Sequence, residues 1–190
     1  MPKANLARAN RYAHVTNVER TVTIGAMRTV WAIVVLAAAA GVWAPSSLAG
    51  PFEDALIAAE AGEFETALGL FVPLAEAGDS ASQYNLGVLY ENGRGVEQNY
   101  EEAARLYGLA ARQGHARAQR SLGTMYGNGW GIDRDFTEAY VWFSLSAAQG
   151  HDEAAEFRDL AAAQLSPEAL TEARRRSGAY WELYVAPFRN

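Results

Sequence analysis

From Phe52 onward the apolar residues fall at three- and four-residue intervals, the spacing that lines one face of an α-helix. Leu86 and Tyr90 are four apart within a helix predicted over about Ala81–Glu91, and Leu122 and Tyr126 repeat the pair further on. Tyr100, Ala103 and Leu106-Tyr107, then Phe136, Ala139 and Trp142-Phe143, supply the buried stripes of two more helices. Phe64, Ala67, Leu70-Phe71 and Ala75 trace an earlier one, behind a short first helix over Phe52–Ala61. Glu153–Gln164 is also helical in pattern. Ser166-Pro167 opens a last helix, with serine as its cap and proline at its first position. The pattern predicts about eight helices and no strand.

The polar positions between these stripes recur too. Ser80–His115 and Ala116–His151 align at a 36-residue offset with 14 of 36 positions identical, a period that marks a solenoid. Asn92-Gly93 and Asn128-Gly129 end the first helix of each unit, because both residue types tolerate the left-handed conformation that turns the chain. Gly95 or Gly131 follows, then an apolar plug, Val96 or Ile132. Asn99 with Glu102, and Asp135 with Glu138, have capping-box spacing at the start of the second helix. Gln113-Gly114-His115 and Gln149-Gly150-His151 end it, with glycine expected at C′. Gly87 and Gly123 lie beside the Leu/Tyr face, where a missing Cβ lets a neighbouring helix approach closely.

The run Ala-x-x-x-Leu-Gly-x-x-Tyr-x-x-Gly-x-Gly-Val/Ile, followed by Ala-x-x-(Leu/Trp)-(Tyr/Phe)-x-x-Ala-Ala-x-Gln-Gly, resembles the Sel1-like repeat, a relative of the tetratricopeptide repeat. Ala118–Gly131 and Ala139–Gly150 fit closely; Ser82 replaces the opening alanine of the other copy, which also carries Gly108 inside its second helix. The resemblance implies an all-α fold, a right-handed α/α superhelical solenoid of helix pairs. It assigns 50–79 to a degenerate first unit, 80–115 and 116–151 to full repeats, and 152–190 to a carboxy-terminal helical cap and tail. It also implies a protein- or peptide-binding adaptor, of a kind often found in bacterial envelopes, whose first helices line the concave side.

Ahead of the helical region, Arg28 precedes an apolar run, Val30–Ala44, broken only by Gly41, and Ser47-x-Ala49 carries the small residues that a signal peptidase accepts. Residues 1–49 therefore read as an extension plus signal peptide, with a start at Met27 and cleavage after Ala49. The run has 15 residues, short of the roughly 20 that span a membrane. The expected location is periplasmic or secreted; an uncleaved anchor, the only expected membrane attachment, is the alternative. Residues 1–49 hold five of the 16 basic residues and one of the 22 acids, so the remainder carries 11 basic against 21 acidic residues. A net charge of −10 excludes a basic footprint for nucleic acid. Cysteine is absent, and the only lysine is Lys3.

The residues off the Leu86/Tyr90 face are Tyr84, Asn85 and Val88 in one repeat and Arg120, Ser121 and Thr124 in the next. These columns vary while the packing columns agree. They are either a binding groove specialised position by position or a solvated face. His115 and His151 follow glycines at helix ends, where a protonated imidazole would suit the helix dipole. Successive repeats should hold them about 10 Å apart, given helix spacings of roughly 8–10 Å, too far to share one metal ion. Arg174-Arg175-Arg176 reads as the basic close of a helix, and Tyr180–Tyr184 as a tail that seals the last repeat or meets a partner. No cofactor motif is present. A β-lactam- or cell-wall-directed hydrolase is the alternative to the adaptor, disfavoured because Ser-x-x-Lys and Lys-Thr-Gly need a lysine that residues 50–190 lack.

Overall fold

Every periodic segment beyond residue 50 is helical. The computed structural model describes residues 50–189; the signal segment and its cleavage position lie outside them. The described residues form α1 Pro51–Glu60, α2 Phe64–Glu76, α3 Ser80–Asn92, α4 Tyr100–Ala111, α5 Ala116–Asn128, α6 Phe136–Ala148, α7 Asp152–Ala162 and α8 Pro167–Tyr184, then a 3₁₀ turn, Ala186–Phe188. There is no strand among them. Each helix from α1 to α6 packs on the next, so the chain advances as stacked helix pairs.

Glycine sets the closeness of each pair. A Cβ on Gly87 would lie 2.8 Å from the Tyr107 ring, and one on Gly123 would lie 2.8 Å from the Phe143 ring. Both are nearer than real atoms approach, so the aromatic residue of the second helix rests directly on the backbone of the first. Gly131 serves the join between repeats: its φ is +66°, and a Cβ there would fall 2.2 Å from the Tyr100 backbone at the start of α4. The variable residue of each Asn-Gly-x-Gly loop covers the same joint. Arg94 sits over the Phe64 ring, and Trp130 stacks on Tyr100 at 5.4 Å between centroids.

A polar ladder runs through the stack. The buried Gln83 donates from Nε2 to the Ala75 carbonyl at 3.0 Å and accepts from Gln113 Nε2 at 2.8 Å. One repeat on, the buried Gln119 donates to the Ala111 carbonyl at 3.1 Å and accepts from Gln149 Nε2 at 2.7 Å. Each glutamine therefore ties three successive helices together and adds a second hydrogen bond to a helix-end carbonyl that already accepts the amide of Gly78 or Gly114.

Three local expectations are corrected. The capping boxes form by halves: the Asn99 side chain accepts from the Glu102 amide and that of Asp135 from the Glu138 amide, but neither glutamate reaches back. Glu102 instead holds Arg105, and Glu138 holds Arg176. His115 and His151 are the N-caps of α5 and α7, at the positive end of the helix dipole. His115 Nδ1 accepts from the Ala118 amide at 3.2 Å, which requires a neutral ring. Gly114, with φ of +81°, lies one residue past C′, whereas Gly150, with φ of +93°, takes C′ as expected. Arg174-Arg175-Arg176 lies in the middle of α8 rather than at its end.

The last helix departs from the pairing rule. α8 packs along α6, not on α7. Tyr180 and Tyr184 meet Trp142 of α6 at 5.4 and 5.8 Å, and the buried Val185 joins the core that α4, α5 and α6 share. The chain end reaches back to Gly114, beside Tyr184 and Phe188. The aromatic tail is thus built into the two repeats, and its ring stacking leaves those rings committed.

Candidate binding cleft

The variable columns of the two first helices face one another. Tyr84 and Val88 from α3, with Arg120, Ser121 and Thr124 from α5, line a cleft of about 260 Å³. Two further residues complete it, Glu91 near the end of α3 and Tyr107 from α4 behind. The helical period makes this happen: residues 84, 88 and 91 stack along one side of α3, and 120, 121 and 124 along the opposed side of α5. All five singled-out residues are half-buried. Asn85 falls elsewhere. It lines a larger apolar groove of about 700 Å³ on the other side of α3, with Leu56, Phe71 and Leu89, and its side chain donates to the Ala81 carbonyl. Val88 borders both spaces.

The floor of the cleft is polar and fixed. The buried Tyr107 hydroxyl donates to Glu91 Oε2 at 2.5 Å. Burial first, then the hydrogen bond and charge of Glu91, push the Tyr107 hydroxyl far above its ordinary range, so it remains a donor at any working pH. On one wall the Tyr84 ring stacks on the His115 imidazole at 4.9 Å and lies 5.7 Å from Tyr107. Burial, and then Arg117, lower the pKa of His115, in keeping with its neutral capping role. On the other wall Arg120 is turned outward to Glu153 of α7, at 3.1 Å, and is not paired with Glu91.

Glu91 and Tyr107 were not among the residues singled out from sequence. Glu91 could have been found: its column carries glycine, Gly127, in the next repeat, so it varies as the others do. Tyr107 looked like a packing residue, which it also is. Among the described residues no group of three His, Cys, Asp or Glu side chains stands together as a metal site.

The same columns identify the architecture among known proteins. The Sel1 repeat model matches residues 80–115 and 116–151, the two units whose first helices form the cleft. The chain carries two Sel1 repeats. Solved structures agree: the protein is similar to a protective antigen of uropathogenic Escherichia coli strains with an SLR fold, at 29% identity and a TM-score of 0.69 over 73% of this chain and 30% of that one. It is also similar to a Sel1 repeat protein from Oxalobacter formigenes, at 30% identity and a TM-score of 0.56 over 68% of this chain and 55% of that one. The chain thus spans about a third and about half of those two proteins. No curated protein matches it. Sel1 repeats usually serve as protein-interaction scaffolds, and the cleft lies between the first helices of both repeats here.

Proposed function

We propose that this Sel1-repeat protein is a non-catalytic adaptor that binds a protein or peptide of the bacterial cell envelope along the face formed by α3 and α5. The carrying observation is the convergence of five variable residues on one cleft whose framework columns are held constant. Invariant packing with a changing surface is how a repeat scaffold acquires a particular partner. Export rests on the leader: Arg28, the apolar run Val30–Ala44 and Ser47-x-Ala49 have the three-part plan of a secretory signal. No helix among the described residues is long and apolar enough to cross a membrane.

The test is in-cell crosslinking of a tagged full-length protein beside an Arg120→Glu/Ser121→Phe variant, read by mass spectrometry. A specific envelope adduct lost in the variant supports the reading. An adduct that persists unchanged in the variant moves the binding face elsewhere. Turnover of β-lactam or cell-wall substrates by the purified protein would overturn its non-catalytic part.

A further inference from the structure

The cleft above Tyr107 carries a carboxylate with one oxygen free. Glu91 Oε2 takes the Tyr107 hydrogen bond, whereas Oε1 has no hydrogen bond or ion pair among the described residues. The nearest candidate cation on the facing helix, Arg120, is committed to Glu153. A lone carboxylate held by a buried hydroxyl in a cleft of one side chain's volume is matched by a cation arriving from outside. On the far side of Val88 the groove lined by Leu56, Phe71 and Leu89 offers the complementary feature, a pocket for an apolar side chain.

We infer that the partner segment is an extended peptide that places an arginine or lysine against Glu91 and an apolar residue in the groove between α1 and α3. The inference rests on the binding reading above and names the chemistry of its ligand. The two spaces flank α3, so they lie about one helix spacing apart, roughly 8–10 Å. A polyproline-like segment advances about 3.1 Å per residue and presents every third side chain on one face, which sets the two anchors about three positions apart. The overall charge favours such a ligand, since residues 50–190 are strongly acidic.

The next joint along the stack explains why this occurs once. There Phe143 replaces Tyr107, Gly127 replaces Glu91, and Phe157 replaces Ser121. Phe157, in the column of Ser121, sets its ring at a tilt against Phe143, 5.5 Å between centroids. The same substitution supplies a blocking variant with a structural precedent: Ser121→Phe should lie on Tyr107 as Phe157 lies on Phe143.

The test is to pan a random dodecapeptide phage library on the purified protein, then measure fluorescein-labelled consensus peptides by anisotropy. The expected consensus has arginine or lysine about three positions from an apolar residue. Its affinity should fall at least tenfold with Glu91→Gln, and equally when the peptide arginine is replaced by citrulline. The Glu97→Gln variant in the exposed loop controls for general charge, and thermal melts confirm that each variant folds. Peptides blocked by Ser121→Phe but lacking a basic residue, or indifferent to Glu91→Gln, overturn this inference and leave the binding face standing. Peptides indifferent to Ser121→Phe, or none enriched at all, overturn both.

Discussion

The two Sel1 repeats share a framework and differ in what they leave open. In residues 80–115 the aromatic side chain behind the first helix is Tyr107, its hydroxyl tied to Glu91, and the space in front is a cleft. In residues 116–151 it is Phe143, resting on Gly123, with glycine (Gly127) in the column of Glu91 and Phe157 against its ring at 5.5 Å. The glycine–aromatic contact and the glutamine ladder recur in both. The difference teaches that the packing columns make the scaffold, whereas the aromatic and the two residues beside it decide whether a joint is polar and open or apolar.

The largest effects should come from the framework the repeats have in common. Gly131→Ala places a Cβ 2.2 Å from the Tyr100 backbone at a positive φ and should cost roughly 3 kcal/mol or more. Gly95→Ala meets Phe64 less closely, its nearest atom at 2.7 Å, and should cost less. Urea melts of the pair give the order; equal losses would contradict the geometry.

Next comes the exchange of the distinguishing residues. Phe143→Tyr adds a hydroxyl to a buried ring whose partner column holds Gly127 in place of the Glu91 carboxylate, and should destabilise by about 1–3 kcal/mol. Adding Gly127→Glu should recover about 1–2 kcal/mol by recreating the Tyr107–Glu91 bond. Position 127 has room, since a Cβ there meets only Ala139 at 3.8 Å. A double-mutant cycle with no coupling would break the comparison.

A smaller effect should run the other way. Ser82 stands where the second repeat has Ala118, and its buried Oγ has no hydrogen-bond partner. Ser82→Ala should therefore stabilise by about 1 kcal/mol, seen as a raised urea midpoint at constant m-value.

The smallest effect is in pH. His115 has its pKa lowered by burial from an ordinary 6.5, so the unfolded chain binds its proton more readily. The contribution of the neutral ring is fully present above pH 6.5 and is lost as the pH falls through the lower folded value. His115→Asn, which replaces the Nδ1 acceptor by an amide oxygen that does not titrate, should flatten the loss of stability between pH 7.5 and acid in urea titrations. An unchanged slope would place the acid sensitivity elsewhere.

Local chemistry was legible in the sequence, and long-range partnership was not. Helical spacing, Asn-Gly ends and the Asn99 and Asp135 caps depend on neighbours within a few residues, and they read directly. Gly87 and Gly123 were legible because they recur beside the Leu/Tyr face, although the rings they admit lie twenty positions on. Five of the six surface residues reached one cleft because a helix face follows from its period. Asn85 missed it because adjacent positions are about 100° apart on a helix, which turns it toward α1. The reciprocal half of each capping box failed because Arg105 and Arg176 compete for the glutamates, and Arg176 lies 38 positions from Glu138. His115 was misassigned because the chain at that point ends one helix and caps the next. The packing of α8 on α6 depends on Trp142 meeting Tyr180 and Tyr184, which no local spacing encodes.

The most direct measurement is site-specific photo-crosslinking in cells with a photoreactive residue at position 121 in one strain and at 157 in another. These are the same column of successive units, one lining the open cleft and one lying against Phe143. A discrete envelope adduct from 121 and none from 157 is the predicted result. Equal adducts from both positions, or an adduct from 157 alone, would contradict the claim that the joint between the two Sel1 repeats is the binding site.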